Sequence, residues 1–212
     1  MNDYIIDPVK IETESFQHIR RLANLEQFSQ DEQQVVMRII HTCGLPEIAE
    51  HIRFSKQAIS AALQAIKQQA TVICDVNMVK CSLTQRMLKD EPLCFINKAS
   101  VVSQAKAYGK TRSMMAVDAW QSQIDNSIII IGNAPTALFR LLEILKAGAA
   151  KPAVVIAMPV GFIGAAESKA KLWQEYQQLG IECMTLLGTQ GGSAIAASAM
   201  NALLRMEQDI YL

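Results

Sequence analysis

The apolar positions change their spacing near residue 70, and the two parts of the chain predict different structures. In residues 1–70 they recur at intervals of three and four residues, the spacing of an amphipathic helix. The residues that show this are Phe16, Ile19, Leu22 and Leu25, followed by Val35, Val36, Ile39 and Ile40. In residues 71–212, short apolar runs alternate with helical stretches. We therefore predict a single domain over residues 1–212, with a helical N-terminal part and a part built from strand–helix units.

Local signals mark where the N-terminal helices begin and end. Ser29 and Glu32 have the spacing of a capping box, in which the side chain of each residue bonds to the backbone of the other. Gly44 followed by Pro46 is typical of a helix C-terminus. A third helix is predicted roughly from Ser55 to Gln69.

Five short runs in the second part predict five strands of a mainly parallel sheet. They cover residues 71–75, 93–96, 128–131, 153–157 and 181–187. The run Ile128–Ile131 lacks the alternation of a half-exposed strand, so it predicts a central strand that is buried on both faces. The helical stretches between the runs predict right-handed crossovers, with helices on both sides of the sheet. The expected fold class is doubly wound α/β.

The turn after the isoleucine run is the first candidate for a binding site. Gly132 ends the strand, and Pro135 and Thr136 open a helix at a position where proline loses no hydrogen bond. In parallel sheets, ligands bind beyond the carboxyl ends of the strands. We therefore expect this turn, which includes Asn133, to lie at the rim of a site.

Composition excludes several classes of protein. Half of the 212 residues are hydrophobic, 19% are charged, and 20 basic residues balance 20 acidic ones. Without a net charge or a basic stripe, nucleic acid is not expected as the main partner. No apolar run approaches the ~20 residues of a membrane span, and Met1–Tyr4 does not resemble the start of a signal peptide. The five cysteines form no Cys-x-x-Cys pair, which favours reduced thiols in a cytoplasmic protein.

Arg38 and His41 are the strongest candidates for chemistry. They are three residues apart and share a helix face, whereas Ile39 and Ile40 point elsewhere. His41 falls in the last helical turn, where free carbonyl groups stabilise a protonated imidazole by up to ~2 kcal/mol. A histidine so placed can act as a general acid near neutral pH. The alternative is a histidine that only caps the helix.

Three other segments carry polar or glycine-rich turns. Thr111 and Arg112 open a helix, and the guanidinium is suited to bind a carboxylate, although a surface arginine beside a capping threonine is the alternative. In residues 188–193, glycines let backbone amides approach an anion closely. Residues 159–169 follow a strand. Glu167 and Lys169 in this segment either face a ligand or are simply residues of the first helical turn, and the structural interpretation is favoured.

The sequence lacks the motifs of nucleotide sites, of serine nucleophile elbows and of helical zinc sites. Several helix N-termini and glycine turns instead meet at one edge of the predicted sheet. This arrangement predicts a large, open binding site that accepts anionic groups and has few catalytic residues. Such a site suits a large polycarboxylate better than a single phosphate.

Six segments carry the pattern of a known family in the same order along the chain. They are RIIHTCG (38–44), DVNMV (75–79), TRS (111–113), GNAPTALFR (132–140), PVGFIGAAESK (159–169) and GGS (191–193). Together they resemble the precorrin-8X and cobalt-precorrin-8 methylmutases of cobalamin biosynthesis. Asn77 departs from the pattern, because the family carries an acidic residue there, and we assign Asn77 no acid–base role.

The resemblance implies a flavodoxin-like fold and a cytoplasmic homodimer with its active site near the dimer interface. The implied reaction moves a methyl group from C-11 to C-12 of the corrin precursor, without a cofactor or a metal held by the protein. By resemblance, His41 is the acid at a ring nitrogen, and Arg112 helps to hold the corrinoid substrate and product. Ser15 matches a pocket position of the family. The other substrate-binding residues that we expect are Arg38, Thr111 and Asn133.

Two other functions are compatible with the sequence. A non-catalytic corrinoid carrier of the same fold would bind the pigment without changing its chromophore. An enzyme that uses a nucleotide or S-adenosylmethionine is favoured only by the glycine turns, and the missing phosphate motif argues against it.

Overall fold

The computed structural model describes residues 4–212, so residues 1–3, on which the signal-peptide prediction partly rests, lie outside the described residues. The helices are α1 Pro8–Leu22, α2 Gln30–Cys43, α3 Ala58–Lys67, α4 Asn77–Ser82, α5 Ala99–Tyr108, α6 Arg112–Asp118, α7 Pro135–Lys146, α8 Ala165–Leu179 and α9 Ser193–Glu207. The strands are β1 Ile52–Phe54, β2 Val72–Cys74, β3 Leu93–Cys94, β4 Ile128–Ile131, β5 Val154–Ala157 and β6 Cys183–Leu186, and short 3₁₀ turns lie at Pro46–His51, Gln85–Met87 and Gln121–Gln123. Within residues 4–212, no helix has both the length and the apolar character that a membrane span requires.

The strands form one mixed sheet in the order β1-β6-β5-β4-β2-β3. Strands β2 to β6 run parallel to one another, and β1 pairs antiparallel with β6 at the edge. The α/β class predicted from the sequence is confirmed, but the predicted number of five strands is wrong. Because β1 has only three residues and pairs with a strand 130 residues later, no local period reveals it. The N-terminal part is therefore not purely helical.

The isoleucine strand β4 is buried on both faces, as its sequence predicts. All four side chains have 0% exposure. Ile128 and Ile130 belong to one apolar core, and Ile129 and Ile131 belong to the core on the other face of the sheet. Helices must therefore cover both sides of the sheet.

The two helical layers differ in depth. On one face, α9 lies against β4 and β5, α2 packs on α9, and α1 packs on α2. On the other face, a single layer contains α5, α6, α7 and α8. The capping box of Ser29 and Glu32 is present at the start of α2, and Gly44 ends this helix in the left-handed conformation, with φ 71°. Both features confirm the boundaries predicted from the sequence.

Helix α2 runs from the amino edge of the parallel strands toward their carboxyl edge. Just before α2, the Phe28 ring lies edge-on to the Phe54 ring, with centroids 6.0 Å apart. Phe54 ends β1, which is antiparallel, so it lies at the amino edge. After α2, the 3₁₀ turn enters β1 at Ile52, at the carboxyl edge. The last turn of α2, which contains His41, therefore points toward the edge at which ligands bind in such sheets.

Gly132 joins β4 to the turn and leaves no room for a side chain. A Cβ there would lie 2.8 Å from Ser193 Cα and 2.8 Å from Val79 Cγ2. We predict that Gly132→Ala lowers the free energy of unfolding by about 1–3 kcal/mol, because the added methyl group overpacks the junction of β4 with α9. Urea denaturation measures this. Ala147→Ser, which adds one atom at an exposed position, is the control, and equal stability of the two variants would contradict the prediction.

Candidate functional site

The backbone amides of the turn after β4 are occupied by Asp75. This residue follows β2 directly and is 1% exposed. Its carboxylate accepts N–H bonds from Gly132 at 3.1 Å and from Asn133 and Ala134 at 2.9 Å each. Burial raises the pKa of the Asp75 carboxyl, and these amides partly offset that rise. The turn therefore offers a ligand the exposed side chain of Asn133, but not these three amides.

Thr111 and Arg112 lie beside the same turn. The Thr111 hydroxyl accepts the N–H of Met114 and shares a hydrogen bond of 2.9 Å with the hydroxyl of Thr136, in the first turn of α7. Arg112 is exposed, and its Nη1 donates to Asn97 Oδ1, beyond β3, at 3.4 Å. The predicted threonine cap is thus present. We call Thr111, Arg112 and Asn133 the edge group, because all three lie near the carboxyl ends of the strands.

Three other predicted residues belong to the packed helices α1 and α2: Ser15 lies on α1, and Arg38 and His41 lie on α2. We call these three the helix group. The His41 imidazole stacks on the ring of Phe16, with centroids 5.0 Å apart and planes at 26°. Arg38 Cζ lies 4.7 Å from the centroid of the same ring. Arg38 and His41 therefore share a helix face, as their spacing predicts. His41 is exposed, and among residues 4–212 its imidazole has no hydrogen-bond or ion-pair partner.

Ser15 and Arg38 also have partners within the fold. Glu12 Oε1 lies 3.2 Å from Arg38 Nη2 and 3.4 Å from Arg205 Nη2, so one carboxylate serves two guanidinium groups. Burial and the nearby Arg205 cation lower the pKa of Arg38, whereas Glu12 raises it. The Ser15 hydroxyl donates to the Ile11 carbonyl at 2.6 Å. Any contact of these side chains with a substrate would add to these internal bonds.

The helix group and the edge group lie on opposite faces of the sheet. Helices α1 and α2 belong to one apolar core, whereas α6 and α7 belong to the other. The three cavities that we describe within residues 4–212 have volumes of about 410, 290 and 290 Å³, and neither His41 nor Arg112 lines any of them. The cavity of 410 Å³ lies at the amino ends of β2, β3 and β4, far from the carboxyl edge. In one chain, the two groups of predicted residues are therefore separate, and none of these three cavities joins His41 to Arg112.

The glycine loop after β6 packs on the end of β5. A Cβ on Gly191 would lie 2.3 Å from the Met158 carbonyl oxygen, and the Gly192 N–H donates to that oxygen at 2.8 Å. The Nζ of Lys169, which has 0% exposure, donates to the Gln190 carbonyl of this loop. Lys169 is therefore bonded within the fold and closed to solvent. Gly191 allows this close approach of two backbones.

Two large apolar side chains lie fully open to solvent in the turn between β5 and α8. Phe162 is 94% exposed, and Ile163 is 91% exposed. Val160, in the same turn, is 44% exposed. Neighbouring exposed apolar side chains of this size mark interaction surfaces on soluble proteins. This turn also lies at the carboxyl edge, because it directly follows β5.

Sequence reasoning did not predict the contacts that Phe16 and Asp75 make with the candidate site residues. The contacts of Asp75 could have been predicted, because an acidic residue that directly follows a buried apolar run needs hydrogen-bond partners within the protein. For Phe16, the sequence shows only the apolar spacing of a helix. Its contact with His41 depends on how α1 packs on α2, and no short-range pattern shows that packing.

Comparison with known proteins shows the family of the chain. The family model for precorrin-8X methylmutase matches residues 10–206. The chain is 42% identical to the precorrin-8X methylmutase of Pseudomonas aeruginosa, over 96% of this chain and 98% of that protein. It is 33% identical to the cobalt-precorrin-8 methylmutase of Priestia megaterium, over 93% and 88% of the two chains. A crystal structure of the Thermus thermophilus precorrin-8X methylmutase superimposes with a TM-score of 0.85 and 34% identity, over 95% and 97% of the two chains.

The fold and the two groups of residues define an α/β protein in which the exposed His41 stacks on Phe16 and the guanidinium of Arg112 is exposed, and the chain is similar to methyl-shifting isomerases. The chain belongs to the precorrin-8X methylmutase family. Members of this family are isomerases of cobalamin biosynthesis, so the catalytic interpretation is supported over that of a passive carrier.

The buried ammonium of Lys169 predicts a pH-dependent stability. Burial lowers the pKa of Lys169 from 10.5 to about 8, so between these pH values the unfolded chain binds more protons than the folded chain. The wild-type protein should therefore gain stability over Lys169→Met as the pH rises through this window, by at most about 1.4 kcal/mol per pH unit. Below about pH 8 the difference should stay constant.

Urea denaturation of both proteins across this pH range measures the difference. Lys171→Met removes a partly exposed lysine of the same helix and serves as the control for the loss of a lysine from α8. A difference for Lys169→Met that does not change with pH would contradict the prediction.

Proposed function

We propose that this chain moves a methyl group from C-11 to C-12 of precorrin-8X or its cobalt-containing counterpart, giving hydrogenobyrinate or cobyrinate. The observation that carries this proposal is the family match over residues 10–206, which includes His41 and Arg112. The names of the relatives support the substrate class. Among residues 4–212, no group of three or more His, Cys, Asp or Glu side chains could hold a metal ion, so in this proposal any cobalt is carried by the substrate.

In the proposed mechanism the bond from the methyl group to C-11 breaks as its bond to C-12 forms, and electrons move within the conjugated ring. His41 protonates, or donates a hydrogen bond to, the ring nitrogen beside the migration site, and the proton returns to the imidazole afterwards. A positioned acid contributes roughly 10²–10⁴-fold to such a rate. Rigid binding of the macrocycle contributes the rest through orientation.

The remaining predicted residues bind the substrate in this proposal. The macrocycle carries several carboxylates, and the exposed guanidinium of Arg112 suits one of them. Thr111 and Asn133 supply a hydroxyl and an amide at the same edge. Ser15 and Arg38 contribute next to His41, in addition to their bonds within the fold.

We further propose that the active protein is a homodimer and that the substrate lies between the subunits. The helix group and the edge group lie on opposite faces of one chain, so a partner subunit can bring its edge group to the helix group. The exposed Phe162 and Ile163 support this, because a dimer interface would remove their apolar surface from water. His41 of one chain would then act on a substrate held by Arg112 of the partner subunit.

Two finer assignments accompany this proposal. Counted along the chain, the five parallel strands have the order 2-1-3-4-5, which supports a flavodoxin-like sheet with β1 as an added edge strand. The five cysteines are free thiols, and this supports a reducing, cytoplasmic environment.

We predict opposite kinetic effects for two substitutions. His41→Ala should lower kcat roughly 10²–10⁴-fold and leave product binding nearly unchanged, because the imidazole acts on the reacting ring. Arg112→Ala should weaken product binding roughly 10- to 100-fold, because a charge-assisted hydrogen bond is lost. Steady-state kinetics and titration with the coloured product measure both effects. Equal loss of turnover and binding in His41→Ala would give His41 a structural role instead.

Mixed dimers test whether the site is shared between subunits. His41→Ala and Arg112→Ala homodimers each have two damaged sites. The assay uses a substrate concentration far below KM, at which both variant homodimers are nearly inactive. If the site crosses the interface, random exchange of subunits should then restore roughly a quarter of the wild-type activity, because half of the dimers are mixed and each has one intact site. No recovery, with exchange verified by mass spectrometry, would place both residues in the site of a single chain.

A further inference from the structure

The proposed acid lacks the partner that usually orients a catalytic histidine. In such histidines, one ring nitrogen generally donates to a carbonyl or carboxylate, which fixes the plane and the tautomer of the imidazole. His41 has no such bond among residues 4–212. Its orientation must therefore come from packing.

Phe16 provides that packing. Its ring is 4% exposed and lies nearly parallel to the imidazole, with centroids 5.0 Å apart. The geometry is that of an offset stack, which restricts the tilt of the imidazole without using either nitrogen.

The Phe16 ring is itself held from two sides. Arg38, one turn before His41 on α2, places its guanidinium 4.7 Å from the ring centroid, within the range of a cation–π contact. Glu12 precedes Phe16 by four residues on α1, so both lie on the same helix face. Glu12 bonds to Arg38 and Arg205, and so joins α1 to both α2 and α9 one turn before the stack.

We propose that Phe16 is a positioning residue of the active site, which fixes the plane of the His41 imidazole by stacking and leaves both ring nitrogens free for the substrate. This inference rests on the proposed role of His41 as the acid. An imidazole held by its face can turn its whole polar edge toward a ring nitrogen of the macrocycle. One held by a hydrogen bond would have a nitrogen already engaged. Arg38, besides its proposed contact with the substrate, and Glu12 also act through Phe16, because they hold α1 and the phenyl ring in place.

The test is a double-mutant cycle of Phe16→Leu and His41→Ala. In the wild-type background, Phe16→Leu should lower kcat roughly 10- to 100-fold, because the acid is no longer held in line, and product affinity should change less than about threefold. In the His41→Ala background, Phe16→Leu should have no further effect on kcat, because no imidazole remains to be positioned. Phe16→Tyr keeps an aromatic ring and should retain most of the turnover.

Two further measurements separate positioning from general loosening of α1. Ile19→Ala removes a buried side chain three residues further along the same helix, and should destabilise the protein without a comparable fall in kcat. The chain has only three histidines, so imidazole NMR resonances can be assigned by substitution. Loss of the ring current in Phe16→Leu should shift the His41 resonances and leave those of His18 and His51 in place.

The results distinguish failure of this inference from failure of the proposed function. If His41→Ala alone keeps its turnover, His41 is not the acid, and Phe16 then has no acid to position. If His41→Ala loses turnover but Phe16→Leu lowers kcat by the same factor in both backgrounds, the acid stands and the positioning role is wrong. Unshifted His41 resonances in Phe16→Leu, or an equal loss of kcat in Ile19→Ala, would also overturn the positioning role.

Discussion

Burial of strand β4 on both faces is the constraint from which the rest of the architecture follows. Four isoleucines in a row give the strand no face that tolerates water, so each side of the sheet must be closed by helices. The sheet then separates the residues carried by α1 and α2 from those carried by α6 and α7. A binding site that uses both sets has to form around the carboxyl edge or between two chains. The architecture thus connects the packing of one strand to the quaternary structure that we propose.

The chemistry of a methyl shift within one molecule makes small demands on the protein. No electrons leave the substrate and no group is passed to a second molecule, so a protein that holds the macrocycle and places one proton is sufficient. This agrees with the sparse set of reactive side chains at the edge of the sheet. It also explains why short catalytic motifs were uninformative, whereas six matched segments spread over the chain identified the family.

Sequence patterns predicted those features that depend on neighbours in the chain. The isoleucine strand, the capping box of Ser29 and Glu32, and the left-handed Gly44 are all local, and the structure confirms each of them. Strand β1 was missed because its three residues take their conformation from pairing with β6. The contact of Phe16 with His41 was missed for the same reason, since it joins two helices. What the sequence alone could not provide is the set of contacts that arise only when distant elements pack together.

The carboxylate of Asp75 has a consequence for selectivity. In many doubly wound proteins, backbone amides at the start of a helix beyond the sheet form the seat for a phosphate group. Here the corresponding amides already donate to the side chain of Asp75. A nucleotide phosphate at this turn would find the backbone amides already bonded to the buried carboxyl group of Asp75. ATP and related cofactors are therefore poor competitors for this edge of the sheet.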